Sequence, residues 1–166
     1  MGKIKRMIST MDPTAGNLIF ETKTIDIHDI PKDDEVTKAY RHLSTQSHLG
    51  NQYDWLTRYV KHFNIQGLEL CIHRDDKATT FIKNDVKKIN TSDDYYYVLI
   101  ENPSISELQI FSYYRFPLLE ITKLDMEKIA RESGFTHILE ETWFCHNPTK
   151  DGQPCGLCNP CKYTKE

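Results

Sequence analysis

The chain has 166 residues, of which 39% are hydrophobic and 27% charged, with a formal net charge of −3. That composition excludes a disordered segment, and the length suits one domain with its own core. The acidic balance and the lack of a long basic run exclude broad electrostatic capture of nucleic acid, leaving room only for a local basic groove.

The amino terminus, Met-Gly-Lys-Ile-Lys-Arg-Met, is basic but carries no apolar run after it, so no signal peptide is expected. Arg6 stands where myristoylation of Gly2 needs Ser or Thr. No stretch is long and apolar enough to span a bilayer, which leaves a cytoplasmic protein as the expectation. Asp12-Pro13 and Gly16-Asn17 flank a turn. Leu18-Ile19-Phe20 reads as a short strand, and Thr24 to Ile30 as a second, with Ile25 and Ile27 on one face. Pro31 to Glu35 is a polar loop. Val36, Ala39, Tyr40 and Leu43 have helical spacing, as do Leu56, Tyr59, Val60 and Phe63 within a helix over 52–63. Between the two lies the polar stretch Ser44 to Asn51.

Asn64 to Gly67 stops the second helix, and Leu68, Leu70 and Ile72 alternate as a strand; helix, tight turn and strand is the rhythm of an α/β domain. Thr79 to Ile82 reads as a short strand and Lys83 to Asp94 as an exposed polar segment. Tyr95 to Ile100 is apolar throughout, the pattern of a strand covered on both faces. Ser104 and Glu107 have capping-box spacing ahead of Leu108 and Phe111, in an element that Pro117 ends. Thr122 and Asp125 mark a clearer helix start, with Ile121 and Met126 as a hydrophobic staple, and Gly134 terminates that helix after Glu132.

Four of the five cysteines crowd into the tail as Cys145-x9-Cys155-x2-Cys158-x2-Cys161, while Cys71 stands alone in a strand. Disulfide scaffolds spread their cysteines, so this crowding reads as a metal site in a reducing compartment. Two residues between thiolates let a tight turn aim both sulfurs at one ion, and Gly152, Pro154, Gly156 and Pro160 supply the turns. Four sulfurs complete a tetrahedral shell that zinc accepts and leave no position for a reactive water, so the ion would be structural. Such a complex carries a charge of about −2, which Lys150, Lys162 and Lys165 are near enough in sequence to soften. Two rivals are an iron–sulfur cluster, whose ligand run Cys155-x2-Cys158-x2-Cys161 imitates in part, and free or oxidised thiols. His146 is a further ligand type beside Cys145, although adjacency makes ligation by both awkward.

The segment Phe116-Pro117-Leu118-Leu119-Glu120-Ile121-Thr122-Lys123, the helix to Gly134, then Glu141-Thr142-Trp143-Phe144-Cys145 and the cysteine cluster resemble the C-terminal part of the 7-cyano-7-deazaguanine synthase family. That family belongs to the PP-loop ATP pyrophosphatases, within the adenine nucleotide alpha-hydrolase-like group. The resemblance implies that Cys145, Cys155, Cys158 and Cys161 are the zinc ligands. It also implies an enzyme of queuosine-precursor synthesis that activates 7-carboxy-7-deazaguanine with ATP and uses ammonia to build the nitrile. One part is missing. The family holds ATP phosphates on a Ser-Gly-Gly-x-Asp-Ser loop, and no two of the seven glycines here are adjacent. The chain is therefore expected to be diverged, truncated or half of a split enzyme. ATP would act as a cofactor only if another chain supplied the loop.

Other constellations carry a functional and an ordinary reading. Ser44, Gln46, Ser47, His48, Asn51 and Gln52 could face a ligand at a helix start, or simply cap it. Tyr113, Tyr114, Arg115 and Phe116 could stack a base, or pack in the core. His73, Arg74, Asp75 and Asp76 follow a strand end, where α/β folds place ligands, or form a charged turn. Lys123 could face an anionic cofactor, whereas Asp93 and Asp94 read as a solvated turn.

The expected architecture is one α/β domain over 1–166, a partial Rossmann-like sheet flanked by helices, with 141–166 a four-cysteine zinc segment. Its expected partners are a small-molecule deazapurine and either a chain carrying the PP-loop or further copies of itself. The alternative is a non-enzymatic zinc module for protein or nucleic acid, the latter disfavoured by charge.

Overall fold

The computed structural model describes residues 2–163, and the chain forms two compact units, Lys23–Met126 and Met1–Thr22 with Glu127–Glu166. The second unit opens with helices α1 (Gly2–Met11) and α2 (Pro13–Leu18). The turn expected between Asp12-Pro13 and Gly16-Asn17 is instead helical, within α2. Asp12 caps α2, accepting the N–H groups of Thr14 at 2.8 Å and Ala15 at 3.1 Å, and Pro13 takes the first helical position. Gly16 is buried where the helices touch, and a Cβ there would collide with Ser9. Leu18-Ile19-Phe20 forms no strand: Leu18 closes α2, and both Leu18 and Phe20 are exposed.

In the larger unit, the strand expected over Thr24 to Ile30 is replaced by a 3-10 turn at Ile27–Asp29, fixed by the Asp26 carboxylate accepting the His28 N–H at 2.8 Å. Helices α3 (Asp34–Gln46) and α4 (Gln52–His62) follow the sequence reading. Asp33 caps α3 at Val36 N, and α3 buries Val36 and Leu43 while α4 buries Tyr53, Thr57 and Val60. After α4, Asn64 adopts φ 51, with Ile65 N–H donating to Val60 O at 2.9 Å and Asn64 N–H to Lys61 O at 3.3 Å. Those two bonds are a Schellman closure with Asn in the left-handed position.

Next come β1 (Leu68–Glu69), α5 (Thr79–Ile82), β2 (Val86–Asn90), β3 (Tyr95–Leu99), a 3-10 turn at Ser106–Phe111, and β4 (Tyr114–Arg115). α5 stands where a strand was expected, because the Asp76 carboxylate and carbonyl accept Ala78 N–H and Thr79 N–H and start a helical turn. β2 lies in the segment read as polar. β2 and β3 are antiparallel, Val86 facing Leu99; β1 and β4 are parallel, Leu68 facing Tyr114. Tyr97 and Phe116 exchange two backbone bonds of 3.2 and 2.9 Å, which places β3 beside β4. The strands form two two-stranded sheets, parallel β1-β4 and antiparallel β2-β3, and this single bridge links them in the order β2-β3-β4-β1. β3 is half-buried along most of its length rather than covered on both faces. Ser104 does not form a capping box; its N–H and hydroxyl both donate to the buried Asp85 carboxylate.

The core of this unit gathers Leu43, Val60, Ile82, Leu108, Phe111, Tyr114 and Phe116. Inside it, Thr57 Oγ1 lies 3.1 Å from Ile110 O and 2.9 Å from the Tyr114 hydroxyl. Thr57 has one proton and the carbonyl can only accept, so Tyr114 donates to Thr57 and Thr57 to Ile110.

Helix α6 (Lys123–Glu132) begins as the sequence predicts. Thr122 Oγ1 accepts Asp125 N–H at 3.1 Å, and the Asp125 carboxylate accepts Thr122 N–H at 2.9 Å. It ends in a second Schellman closure, with Gly134 at φ 76 and Phe135 N–H donating to Ala130 O at 2.9 Å. Helices α7 (Thr136–Leu139) and α8 (Asn159–Tyr163) complete the described elements. No helix among the described residues is long and apolar enough to cross a membrane.

Candidate metal centre

The cysteine cluster closes in three local steps. Trp143 Nε1–H donates to Cys145 O at 2.7 Å and pins the chain where the first ligand departs. The nine-residue gap then folds back through a turn, with Gly152 at φ 73 and Thr149 and Gln153 joined by a 2.9 Å backbone bond. Finally, Gly156 at φ 68 turns the Cys155-Gly156-Leu157-Cys158 knuckle, and α8 carries Cys161.

The four sulfurs lie within 4.8 Å of one another, and Cys145 and Cys161 are buried. The separations are 3.9 Å for Cys155–Cys161, 4.0 Å for Cys145–Cys158 and 3.4 Å for Cys158–Cys161. A tetrahedron of thiolates at the usual zinc–sulfur distance has edges of about 3.8 Å. The donor set therefore fits a single four-coordinate ion. These distances are far beyond the roughly 2 Å of a disulfide, and all five cysteines are free. Backbone amides already face the sulfurs: Cys155 N–H donates to Cys145 Sγ at 3.2 Å, and Leu157 and Cys158 N–H donate to Cys155 Sγ at 3.4 and 3.3 Å. Such donors favour the thiolate form. The amides of Leu157 and Cys158 hold the Cys155 thiol below its ordinary value, and those of His146 and Cys161 bring Cys158 down to about 6. Cys161 goes the other way, pushed up to about 12 by burial and by the hydrogen bond with Cys158.

The other residues singled out by sequence sort as follows. The His146 side chain is exposed and outside the cluster, and Lys150 and Lys162 are exposed, while Lys165 lies outside the described residues. Cys71 is exposed in the larger unit, its thiol pushed up by partial burial and by the charge of Glu69. Tyr114 and Phe116 are fully buried, which removes them as a stacking surface; the Arg115 guanidinium lies 4.6 Å over the Tyr96 ring. Ser44 and Gln46 close α3, His48 is exposed, and Asn51 precedes α4 without capping it.

The strand-end residues come together in a way that sequence did not foresee. Arg74 N–H donates to Ile121 O at 2.9 Å, which joins the loop after β1 to the loop before α6. Asp75 N–H donates to His73 Nδ1 at 3.2 Å, and the Asp75 carboxylate accepts Lys123 N–H at 3.4 Å. His73, Asp75, Thr122 and Lys123 thus share one end of the parallel pair, and two carboxylates, Asp75 and Asp125, occupy amides at the start of α6.

A cluster of four convergent cysteines on a mixed α/β chain defines a protein with a candidate structural metal centre. The family described as "Queuosine biosynthesis protein QueC" matches residues 76–166, more than half the chain, and the chain belongs to that family. The 7-cyano-7-deazaguanine synthase of Rhizorhabdus wittichii is 39% identical over 46 residues, which are 28% of this chain and 19% of that protein. The matched stretch is thus about a fifth of that relative's length. No solved structure matches.

Proposed function

We propose that this chain is a zinc-bearing, 7-cyano-7-deazaguanine synthase-like protein of queuosine-precursor metabolism, whose 166 residues here carry no ATP-phosphate loop. The observation that carries the reading is the sulfur tetrahedron at the end of a family match that also includes Thr122 and Lys123. Cys145, Cys155, Cys158 and Cys161 would hold the ion, which when bound supplies a fold-stabilising cross-link with no open position for substrate. The chemistry of the reading is ATP-dependent conversion of the carboxylate of 7-carboxy-7-deazaguanine to a nitrile with ammonia. Ser-Gly-Gly occurs nowhere in these 166 residues, so the reading places the phosphate loop outside them. Lys123, at the end of the parallel pair, would be the residue to meet an anionic ligand, and β1 and β4 would be strands of a larger Rossmann-like sheet. Membership of the family leaves the purely non-enzymatic zinc module without an observation in its favour.

The test is calorimetric titration of the zinc-loaded protein with 7-carboxy-7-deazaguanine, with guanine as control. Saturable heat for the deazapurine and none for guanine is expected. No heat for either ligand would overturn the deazapurine reading.

A further inference from the structure

The smaller unit, residues 2–22 with 127–163 among those described, has almost no core of its own. Its buried residues are Gly16, Ala130, Cys145 and Cys161, so among the described residues nothing larger than a cysteine side chain is buried there. The larger unit, by contrast, buries Tyr53, Leu108, Phe111, Tyr114 and Phe116. Large apolar side chains of the smaller unit face water instead: Leu18 is 75% exposed, Phe20 91% and Leu157 78%.

Helix propensity does not make up the difference. Helices α1, α2, α6, α7 and α8 are at most ten residues long, and isolated helices shorter than about 12–15 residues are marginal in water. α1 buries no residue and leaves Ile4, Met7 and Ile8 half-buried. It packs against α7, and Lys3 Nζ lies 2.6 Å from the carboxylate of Glu141, just ahead of Cys145. That pair is partly exposed, and such pairs contribute little. α2 closes on α1 at Gly16, where a Cβ would stand 2.7 Å from Ser9 Cα. Two of the four buried residues are therefore metal ligands, and the others are a glycine and an alanine. Small units with so little apolar core are usually held by disulfides or by a metal, and the cysteines here are free thiols. The binding free energy of a structural ion is then folding free energy for the unit that surrounds it.

We propose that the ion held by Cys145, Cys155, Cys158 and Cys161 serves as the core of the whole smaller unit, so that metal loading gates the order of α1 and α2 at the opposite end of the chain. With metal bound, α1 and α2 are docked. Without it, residues 2–22 are released while the larger unit stays folded on its own core. Withdrawal of the metal thereby frees a basic amphipathic segment that carries Lys3, Lys5 and Arg6. This rests on the zinc reading above and is independent of the deazapurine.

The test is amide exchange of the full zinc-loaded chain, followed peptide by peptide before and after a strong chelator is added, with metal content read on the same samples. Chelation is expected to speed exchange in α1, α2 and α7 at least about tenfold and to leave α3, α4 and β3 unchanged. Faster exchange confined to 141–163, or loss of protection in α3 and α4 as well, would overturn the proposal. The coupling must also run in reverse, since linkage between two equilibria is reciprocal. G16V forces the two helices apart at Ser9 and is expected to raise the zinc dissociation constant at least about fivefold, measured against a chromophoric chelator. An unchanged constant would mean that the ligand segment folds alone, and would also overturn it. A chain that purifies with no metal sinks the zinc reading itself, whereas bound zinc with an N-terminal segment indifferent to chelation sinks the gate alone.

Discussion

At the scale of single residues, the cysteine cluster separates positions that bear the same side chain. Cys145, Cys155, Cys158 and Cys161 share one site, while Cys71 lies in the loop after β1 in the other unit. Replacing any of the four by Ser is expected to drop bound zinc from one per chain to well under a tenth of that in dilute chelator, and C71S is expected to leave it unchanged. Metal analysis after dialysis checks this. Structural zinc contributes on the order of 10 kcal/mol where folding depends on it, so loss of one thiolate should also lower the melting temperature. The convergence of the four sulfurs was legible in the sequence because the turns around them are local. The Asp75–Lys123 bond was not, since it joins residues 48 apart that only the parallel pair brings together.

At the scale of elements, local chemistry was read correctly where it was decisive. The Thr122–Asp125 box and the Gly134 stop are set by residues within a few positions of one another. Gly134 has no atom within 4 Å of where a Cβ would stand, so G134A costs backbone strain alone, about 1 kcal/mol. Urea unfolding of G134A should show a lower midpoint at unchanged slope. Elsewhere a short-range bond outweighed propensity. The β-branched run at Thr79 became α5 because Asp76 starts a turn, and Asp85 captured Ser104 from a cap. β2 was missed because an exposed edge strand keeps its charged residues, and its half-buried Val86 and Ile89 are three apart rather than alternating.

The Thr57–Tyr114 pair ties α4 to β4 and was invisible to periodicity, since Thr57 reads as a polar residue on a helix. T57V keeps the shape but leaves the Tyr114 hydroxyl and Ile110 carbonyl without their partner in the core. It is expected to cost about 1–3 kcal/mol, more than Y114F, at about 0.5–1.5 kcal/mol. Denaturant titration of both variants gives the order, and the reverse order would refute the donor direction assigned to Tyr114.

At the scale of the whole molecule, composition and helix rhythm predicted an α/β chain, and the structure has one. Sequence also suggested a Rossmann-like sheet, and the structure supplies one parallel pair within a mixed array. The difference has a physical source: parallel pairing joins strands far apart in sequence, as Leu68 and Tyr114 are, and local patterning does not record it. The cysteine centre, by contrast, is complete within one stretch of chain. The most direct test of the account is metal analysis with X-ray absorption on protein purified without chelators. The account predicts a colourless protein with one zinc per chain and four sulfur neighbours at about 2.3 Å. A brown, iron-containing protein, or one with no metal and oxidised cysteines, would contradict it.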